Sequence, residues 1–399
     1  MRNTIENDYI VVYPEGKITS GNADALKSGI QEILSANPGK KLLLDLDDLE
    51  YISSAGLRVL LYYVKQQKGE KLTARNVNPE IYDIFQMTAF DLLMDIKRKL
   101  REFSVEGCEI IGQGAVGTVY RVDEDTIVKV YEVPDSLAMI ENEQNMAKEA
   151  FIKGIPTAIS YDMVKVGDKY GSVFELLKAT TFNDELIKAP ENKDELLRRY
   201  AQLLLQIHEV EMEPGVLPQA RDVFLGYLGD LKEHMPEDLY GRMKELLEAM
   251  GENLHTVHGD IQMKNVMLSE DEPLLIDMDT LSTGDPVFDL QGIYVTYVLF
   301  NEDQPGNTEQ FLGIPSDLSQ YVFDRTMEYY FEGKSGEELE AALNKIRLVG
   351  CIRFLYLVAV FNIGLPELKQ VRIAHTLDKI RELSGRVDSL EVADKRDRG

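Results

Sequence analysis

The chain is poor in cysteine, in positive charge and in long apolar runs, and each shortage removes a class of protein. Only two cysteines, Cys108 and Cys351, occur among 399 residues. They stand far apart, so they offer neither a disulfide framework nor a metal-ligand spacing, and a reducing, cytoplasmic setting is expected. The most apolar long stretch, Val349 to Leu365, is broken by Arg353 and Asn362 and is shorter than the run of about 20 residues a spanning helix needs. It reads as a buried core helix, and no membrane segment is expected. The opening residues MRNTIENDYI have neither the basic start nor the apolar core of a signal peptide.

Positive charge is outnumbered: 43 Lys and Arg face 69 Asp and Glu, a net charge of −26. The deficit is uneven. Residues 1–100 hold 13 basic and 14 acidic side chains, and residues 101–399 hold 30 and 55, a balance of −25. Such a field repels phosphates, so nucleic acid is not an expected partner. It favours a cationic substrate or a basic partner surface, or it serves solubility alone. An apolar content of 44% and a charged content of 28% are ordinary for a globular protein, and the length suits two or three domains.

Over the first hundred residues strand-like and helix-like patterns alternate. Tyr9 to Tyr13 and Lys41 to Leu46 read as strands, with a third near Leu72 to Ala74. Amphipathic helices are expected over Ala23 to Leu34, about Ala55 to Gln67, and Pro79 to Met87, with Gly69 after the second and Pro79 opening the third. The alternation predicts an α/β layer structure. The charged run Lys97-Arg-Lys-Leu-Arg-Glu102 reads as a linker, and a new pattern starts at Phe103.

The segment Asp45-Leu-Asp-Asp-Leu-Glu-Tyr-Ile-Ser-Ser-Ala-Gly-Leu-Arg-Val-Leu60 leads from a buried strand through a turn to Ser53 and Ser54, which can cap the next helix. Over residues 1–100 the chain resembles STAS domains, the anti-sigma factor antagonist family. The resemblance implies that Ser54 occupies the phosphorylated position and Gly56 the glycine of that family's turn; Ser53 stands where an aspartate is usual. A phosphate is well received by free N–H groups at a helix N-terminus. The alternative is that Ser53 and Ser54 only cap the helix.

Ile110-Ile-Gly112-Gln-Gly114-Ala-Val-Gly117-Thr-Val-Tyr120 contains G-x-G-x-x-G, a weak signal alone. The pattern after Gly117 is not the helix of a dinucleotide-binding unit but two β-rich runs, Thr118 to Val122 and Ile127 to Tyr131, around an acidic turn. Glycines let backbone close over a triphosphate. Lys129 lies on the third strand between Val128 and Val130, where an ammonium needs partners: nucleotide phosphates and a glutamate of the helix Ser136 to Lys153. Glu141, Glu143 and Glu149 are available. Val173 to Leu177 fits a strand ending in a hinge, where backbone of about Glu175 to Leu177 would hydrogen-bond adenine.

His258-Gly-Asp260-Ile-Gln-Met-Lys-Asn265, followed by Ile276-Asp277-Met278-Asp279, holds the remaining parts of phosphoryl transfer. Asp260 is the expected base, and Asn265 and Asp277 supply oxygen ligands for Mg²⁺. His258 reads as a prop for the loop, Asp279 as a second ligand or a merely polar residue, and Asp289 as a helix cap. Helices are expected over Lys193 to Glu209, Phe224 to His234, Leu239 to Gly251, Leu318 to Phe331, Gly336 to Val360 and Leu365 to Leu390. The closing Lys-Arg-Asp-Arg-Gly reads as a frayed tail.

Taken together, His258-Gly-Asp260, Asn265, Ile276-Asp277 and Gly284-Asp285-Pro286 to Asp289 resemble the aminoglycoside phosphotransferase and choline kinase family, from about Phe103 onward. No Ala-Pro-Glu element of protein kinases follows Asp277. The resemblance implies a two-lobed α+β protein-kinase-like domain over 101–399, with a small β-rich N-lobe (about 103–178) and a helical C-lobe (about 179–399), behind an α/β STAS domain (1–100). It implies ATP and Mg²⁺ as cofactors. It also favours Glu143, by its spacing to Gly154-Ile-Pro156, as the partner of Lys129. Gly112, Gly114, Gly117, Lys129, Glu143, Glu175 and Leu177 would bind nucleotide. The acceptor would be a hydroxyl of a small, cationic molecule, and the STAS domain would regulate or bind a protein partner. Two other readings stay open: a signalling protein that phosphorylates Ser54 or a partner, and a nucleotide-binding module without turnover.

Overall fold

The computed structural model describes every residue except 68–70, 115–116, 134–135, 270–271 and 393–399. Gly69, the two residues between Gly114 and Gly117, and the closing basic tail therefore lie outside the described residues. The chain forms two compact units: Met1–Ser104 with Met163–Asp168, and Val105–Asp162 with Lys169–Gly399.

The first unit is built on a five-stranded sheet in the order Arg2–Glu6, Tyr9–Tyr13, Lys41–Asp45, Leu72–Val77, Met94–Arg98. The first pair is antiparallel and the other three pairings are parallel. Parallel neighbours need crossovers, which the helices Ala23–Ala36, Ser54–Val64 and Pro79–Met87 supply. Ile10, Val11 and Val12 are all buried, as a strand covered on both faces requires. At the start of Ser54–Val64 the Ser53 hydroxyl accepts the Gly56 N–H at 3.4 Å, while Ser54 is exposed. A Cβ on Gly56 would lie 2.6 Å from Ile52 and 2.7 Å from Ile18, so glycine lets this helix end press onto the two isoleucines.

Most of Lys97 to Glu102 is strand, with only Lys99 and Leu100 left as a connection between two strands. Met94–Arg98 is one of the two edge strands of the five-stranded sheet, and Arg101–Glu102 pairs in parallel with Val164 and Lys165. Charged side chains on an edge strand discourage further pairing, and in sequence that protection looks like a hydrophilic tether.

In the second unit the strands Glu109–Gln113, Gly117–Arg121, Thr126–Tyr131 and Lys169–Glu175 pair antiparallel in that order, with Lys169–Glu175 against Thr126–Tyr131. The helix Leu137–Ile152 follows the third strand. The remainder is mostly helical, with Lys193–Glu209, Ala220–Asp230, Glu237–Glu248, Val287–Tyr294, Ser316–Tyr330, Gly336–Ala359 and Lys369–Ser384 packed on one core that includes Leu197, Leu204, Met243, Leu247 and Val349. Glu237–Glu248 begins directly after Pro236 with two acids in its first turn, earlier than periodicity alone suggests. Gly336–Ala359 opens with a reciprocal cap: Ser335 Oγ accepts the Glu338 N–H and Glu338 Oε2 accepts the Ser335 N–H. That helix ends at Ala359, so the apolar stretch does not continue as a core helix; Phe361, Ile363 and Leu365 are exposed. Among the described residues no helix is long and apolar enough to cross a membrane.

Candidate active site

Lys129 stands opposite Ser172 in the sheet, with Val128 and Val130 buried on either side of it. Its ammonium reaches two acids: Glu143 Oε1 at 3.1 Å and Asp277 Oδ1 at 2.7 Å. The other Glu143 oxygen accepts the Tyr131 hydroxyl at 2.6 Å. Burial alone would lower the Lys129 pKa, but the charges of Asp277 and Glu143 outweigh it and hold the ammonium above the usual lysine value. One lysine thus ties the sheet, the helix Leu137–Ile152 and the segment after Ile276 to one point.

The glycine turn sits on the same sheet. The Gly114 N–H donates to Gly117 O at 2.9 Å. A Cβ on Gly117 would lie 2.5 Å from the Val130 carbonyl oxygen, so the close approach of the two strands requires glycine there. Gly112 has only ordinary contact with Val119, at 3.5 Å. Glu175 ends its strand opposite Thr126, three residues along from Lys129. Leu177 follows it, past Leu176, whose N–H donates to Asp125 O at 2.7 Å.

The loop from His258 to Asn265 is fixed from three sides. Gly259 adopts φ +84°, and a Cβ there would meet Thr280 O at 2.6 Å, which excludes the arginine found at this place in protein kinases. His258 Nε2 donates to Ile276 O at 3.1 Å, which leaves Nδ1 to accept the Asp260 N–H at 3.4 Å. Asn265 O accepts the Ile276 N–H at 3.0 Å. These bonds carry the loop to Asp277, itself held in the left-handed region at φ 58°.

Asp260 Oδ2 accepts from Gln262 Nε2 at 3.2 Å and Asn265 Nδ2 at 3.1 Å. Asn265 Nδ2 also donates to Asp260 O at 2.9 Å, so its amide oxygen is turned away from Asp260. With the Asp277 carboxylate it offers two hard oxygen donors. That suits Mg²⁺, which takes few protein ligands and completes its shell with phosphates and water. Among the described residues no group of three or more His, Cys, Asp or Glu is arranged to hold a metal by itself. Asp279 is pushed up to about 6 by burial first, then by Glu143, with Asp277 and Asp260 adding and Lys129 opposing. This excess of carboxylate over cation also fits a bound divalent ion.

Asp289 does not cap its helix. The residue before that helix is Pro286, and Asp285 Oδ1 accepts the first helical N–H, that of Val287, at 3.0 Å. Asp289 points inward, fully buried, and accepts the N–H groups of His258 at 2.8 Å and Gly259 at 2.6 Å, and His208 Nε2 at 2.9 Å. Burial pushes its carboxyl up, but the His208 hydrogen bond and charge, His258 and the Gly259 N–H together hold it below the usual carboxylate value. His208 Nδ1 in turn meets the Tyr330 hydroxyl at 2.8 Å. Arg353, of helix Gly336–Ala359, donates from Nη1 to Gly259 O at 3.0 Å and places Nη2 3.7 Å from Asp260 Oδ1. Neither His208 nor Arg353 belonged to the expected site. The signal for Arg353 was its lone charge within the most apolar stretch of the chain.

Residues 107–315, just over half of the chain, match the model of the phosphotransferase enzyme family. The chain belongs to that family. Residues 1–103 match the STAS domain model, so a STAS domain precedes the phosphotransferase domain. Within the STAS part the chain is 33% identical over 78 residues to a Bordetella bronchiseptica protein bearing the name anti-sigma factor antagonist BtrV, covering 19% of this chain and 66% of that one, just under two thirds. It is 25% identical over 89 residues to the anti-sigma F factor antagonist of Paenibacillus polymyxa, covering 22% and 76%.

Solved structures similar to the chain include the ADP-bound aminoglycoside phosphotransferase APH(2'')-Ib, at TM-score 0.47 and 15% identity, covering 77% of this chain and 99% of that one. A choline/ethanolamine kinase family protein from Mesorhizobium loti has TM-score 0.45 and 16% identity, covering 69% and 87%. The assignment of the phosphotransferase domain rests on the family model.

Proposed function

We propose that the phosphotransferase domain moves the γ-phosphoryl group of MgATP to a hydroxyl of a small molecule. The observation that carries this reading is the pair of contacts from Lys129 to Glu143 and Asp277, which draws the glycine-turn sheet to the segment next to Asp260 and Asn265. Asp260 Oδ1 would take the hydroxyl proton as the acceptor oxygen bonds to phosphorus and the bond to the ADP oxygen breaks. Lys129 would hold the α- and β-phosphates, with Glu143 fixing its position. Gly112, Gly114 and Gly117 would let backbone approach the phosphates, and backbone of Glu175 to Leu177 would receive adenine. Asn265 and Asp277 would hold Mg²⁺, which neutralises phosphate charge when bound.

The complete set of Lys129, Asp260, Asn265 and Asp277 disfavours a module that binds nucleotide without turnover. The test is ADP release by the full chain with MgATP and a panel of amino sugars, choline-like alcohols, sugars, hydroxy acids and sugar phosphates. Acceptor-dependent release is the expected result. Failure of MgATP to raise the melting temperature would overturn the reading.

A second reading concerns the STAS domain as a regulatory or partner-binding module, and is favoured by one observation: Ser54 is exposed at the first position of its helix. A phosphate on its hydroxyl would meet free helix N–H groups. Intact-mass measurement after incubation with MgATP tests self-phosphorylation. An unmodified Ser54 during active turnover would exclude transfer within the chain.

A further inference from the structure

The charge balance of the second part of the chain favours a cationic acceptor, but the group next to the proposed base is itself a cation. Asp260 has one oxygen engaged: Oδ2 accepts from both Gln262 and Asn265. An acceptor hydroxyl must therefore use Oδ1, the oxygen that faces Arg353 Nη2 at 3.7 Å. That separation makes an ion pair but is too long for a hydrogen bond. Arg353 Nη1 is committed to Gly259 O, and among the described residues no carboxylate lies within hydrogen-bond reach of Nη2. The Arg353 side chain is 17% exposed and that of Asp260 39%, so solvent reaches both.

We propose that Arg353 determines specificity, and that the acceptor carries an anionic group, a carboxylate or a phosphate, beside the hydroxyl that is phosphorylated. The inference rests on the phosphotransferase reading and names its substrate class. A hydroxyl on Asp260 Oδ1 puts substituents one or two bonds away within reach of the guanidinium. An anion there completes the donors of Nη2 with a charge-assisted hydrogen bond. An ammonium there meets a like charge at contact range. The acidic field of the whole domain does not reverse this, because beyond a Debye length of about 8 Å it is screened, whereas the contact is not. One helical turn beyond Arg353, Tyr356 stacks on Tyr227 with ring centroids 4.2 Å apart and meets the exposed Phe361 edge-on at 5.2 Å. Residues three apart share a helix face, so Tyr356 lies on the same side of its helix as Arg353.

The experiment uses the full chain, MgATP and four probes with one three-carbon skeleton: glycerol, glycerate, glycerol 3-phosphate and 3-amino-1,2-propanediol. ADP release is read for each, and the melting temperature is read with each probe in the presence of MgADP. The wild type should favour glycerate or glycerol 3-phosphate over the amine by on the order of 100-fold, in release or in the concentration that stabilises. The better of the two tells carboxylate from phosphate. Arg353→Gln should erase the preference, and Arg353→Lys should retain part of it. A merely structural role would lower all four probes equally and leave the ratios intact, which overturns the proposal. So does an amine equal to the anions, or an absence of any melting shift with either anion. If MgADP itself gives no shift, the nucleotide site fails and the phosphotransferase reading falls first.

Discussion

The Asp289 carboxylate accepts the backbone N–H of Gly259 at 2.6 Å, across thirty residues of chain. With His258 N–H and His208 on its remaining lone pairs, a buried acid fixes the backbone just before the proposed base from behind. Asp289→Ala would leave three donors without an acceptor, two of them buried, and a loss of about 3 kcal/mol or more in stability is expected. Phosphoryl transfer should fall with it. The fold holds this carboxyl below its ordinary value, so its contribution is complete above the unfolded value of about 4. It is lost as pH falls through the lower folded value. The melting-temperature gap between wild type and Asp289→Asn should therefore be widest at neutral pH and close in acid. Parallel pH profiles would contradict this.

The glycine turn separates two glycines that look alike in sequence. Gly117→Ala sets a methyl 2.5 Å from the Val130 carbonyl oxygen, where backbone must move. A cost of about 1–3 kcal/mol and weaker MgATP binding are expected. Gly112→Ala meets only the Val119 side chain at 3.5 Å and should melt close to wild type. Thermal unfolding of the two variants, with and without nucleotide, decides it. Equal losses would mean that the strand spacing is not what selects glycine at position 117.

What was legible in the sequence was the set of residues whose chemistry leaves few substitutes. A lysine between two buried valines needs acids, and the structure puts Glu143 and Asp277 on it; Asp260 and Asn265 are likewise bonded to each other. The α/β layers of the first hundred residues also came through in the periodicity, because each crossover helix buries one face. Direction was not legible. Asp289 looks like any acid at a helix start, and nothing local says that it turns inward to His258 and Gly259. His208 sits on the apolar face of a long helix, as many core histidines do. Lys97 to Glu102 carries the charges of a tether because edge strands and tethers are both wet.

Lys129 should be separable from Glu143 by kinetics. Lys129→Met removes the cation between two acids and the expected phosphate contact, so kcat/KM for MgATP should fall by at least about 100-fold. Glu143→Gln keeps the lysine and can still accept its N–H, so a smaller loss of roughly 10-fold is expected, chiefly in KM. Steady-state ADP release against MgATP concentration measures both. A Glu143→Gln defect equal to that of Lys129→Met would contradict the positioning role.

Metal dependence is expected from the two oxygen donors. Turnover should vanish with excess EDTA and return with Mg²⁺, and Asn265→Ala should raise the Mg²⁺ concentration for half-maximal rate by roughly 10- to 100-fold. Since Asn265 also donates to Asp260, kcat should drop as well. A Mg²⁺ requirement unchanged in Asn265→Ala would remove that residue from the metal site.

Asp260→Asn tests the proposed chemistry most directly, because the substitution keeps the size of the side chain and removes its capacity to take a proton. Calorimetry with MgATP and acceptor-dependent ADP release are measured on the same preparation. If Asp260 is the base, turnover falls by at least about 100-fold while nucleotide affinity stays near that of the wild type. Turnover equal to wild type in Asp260→Asn would contradict it.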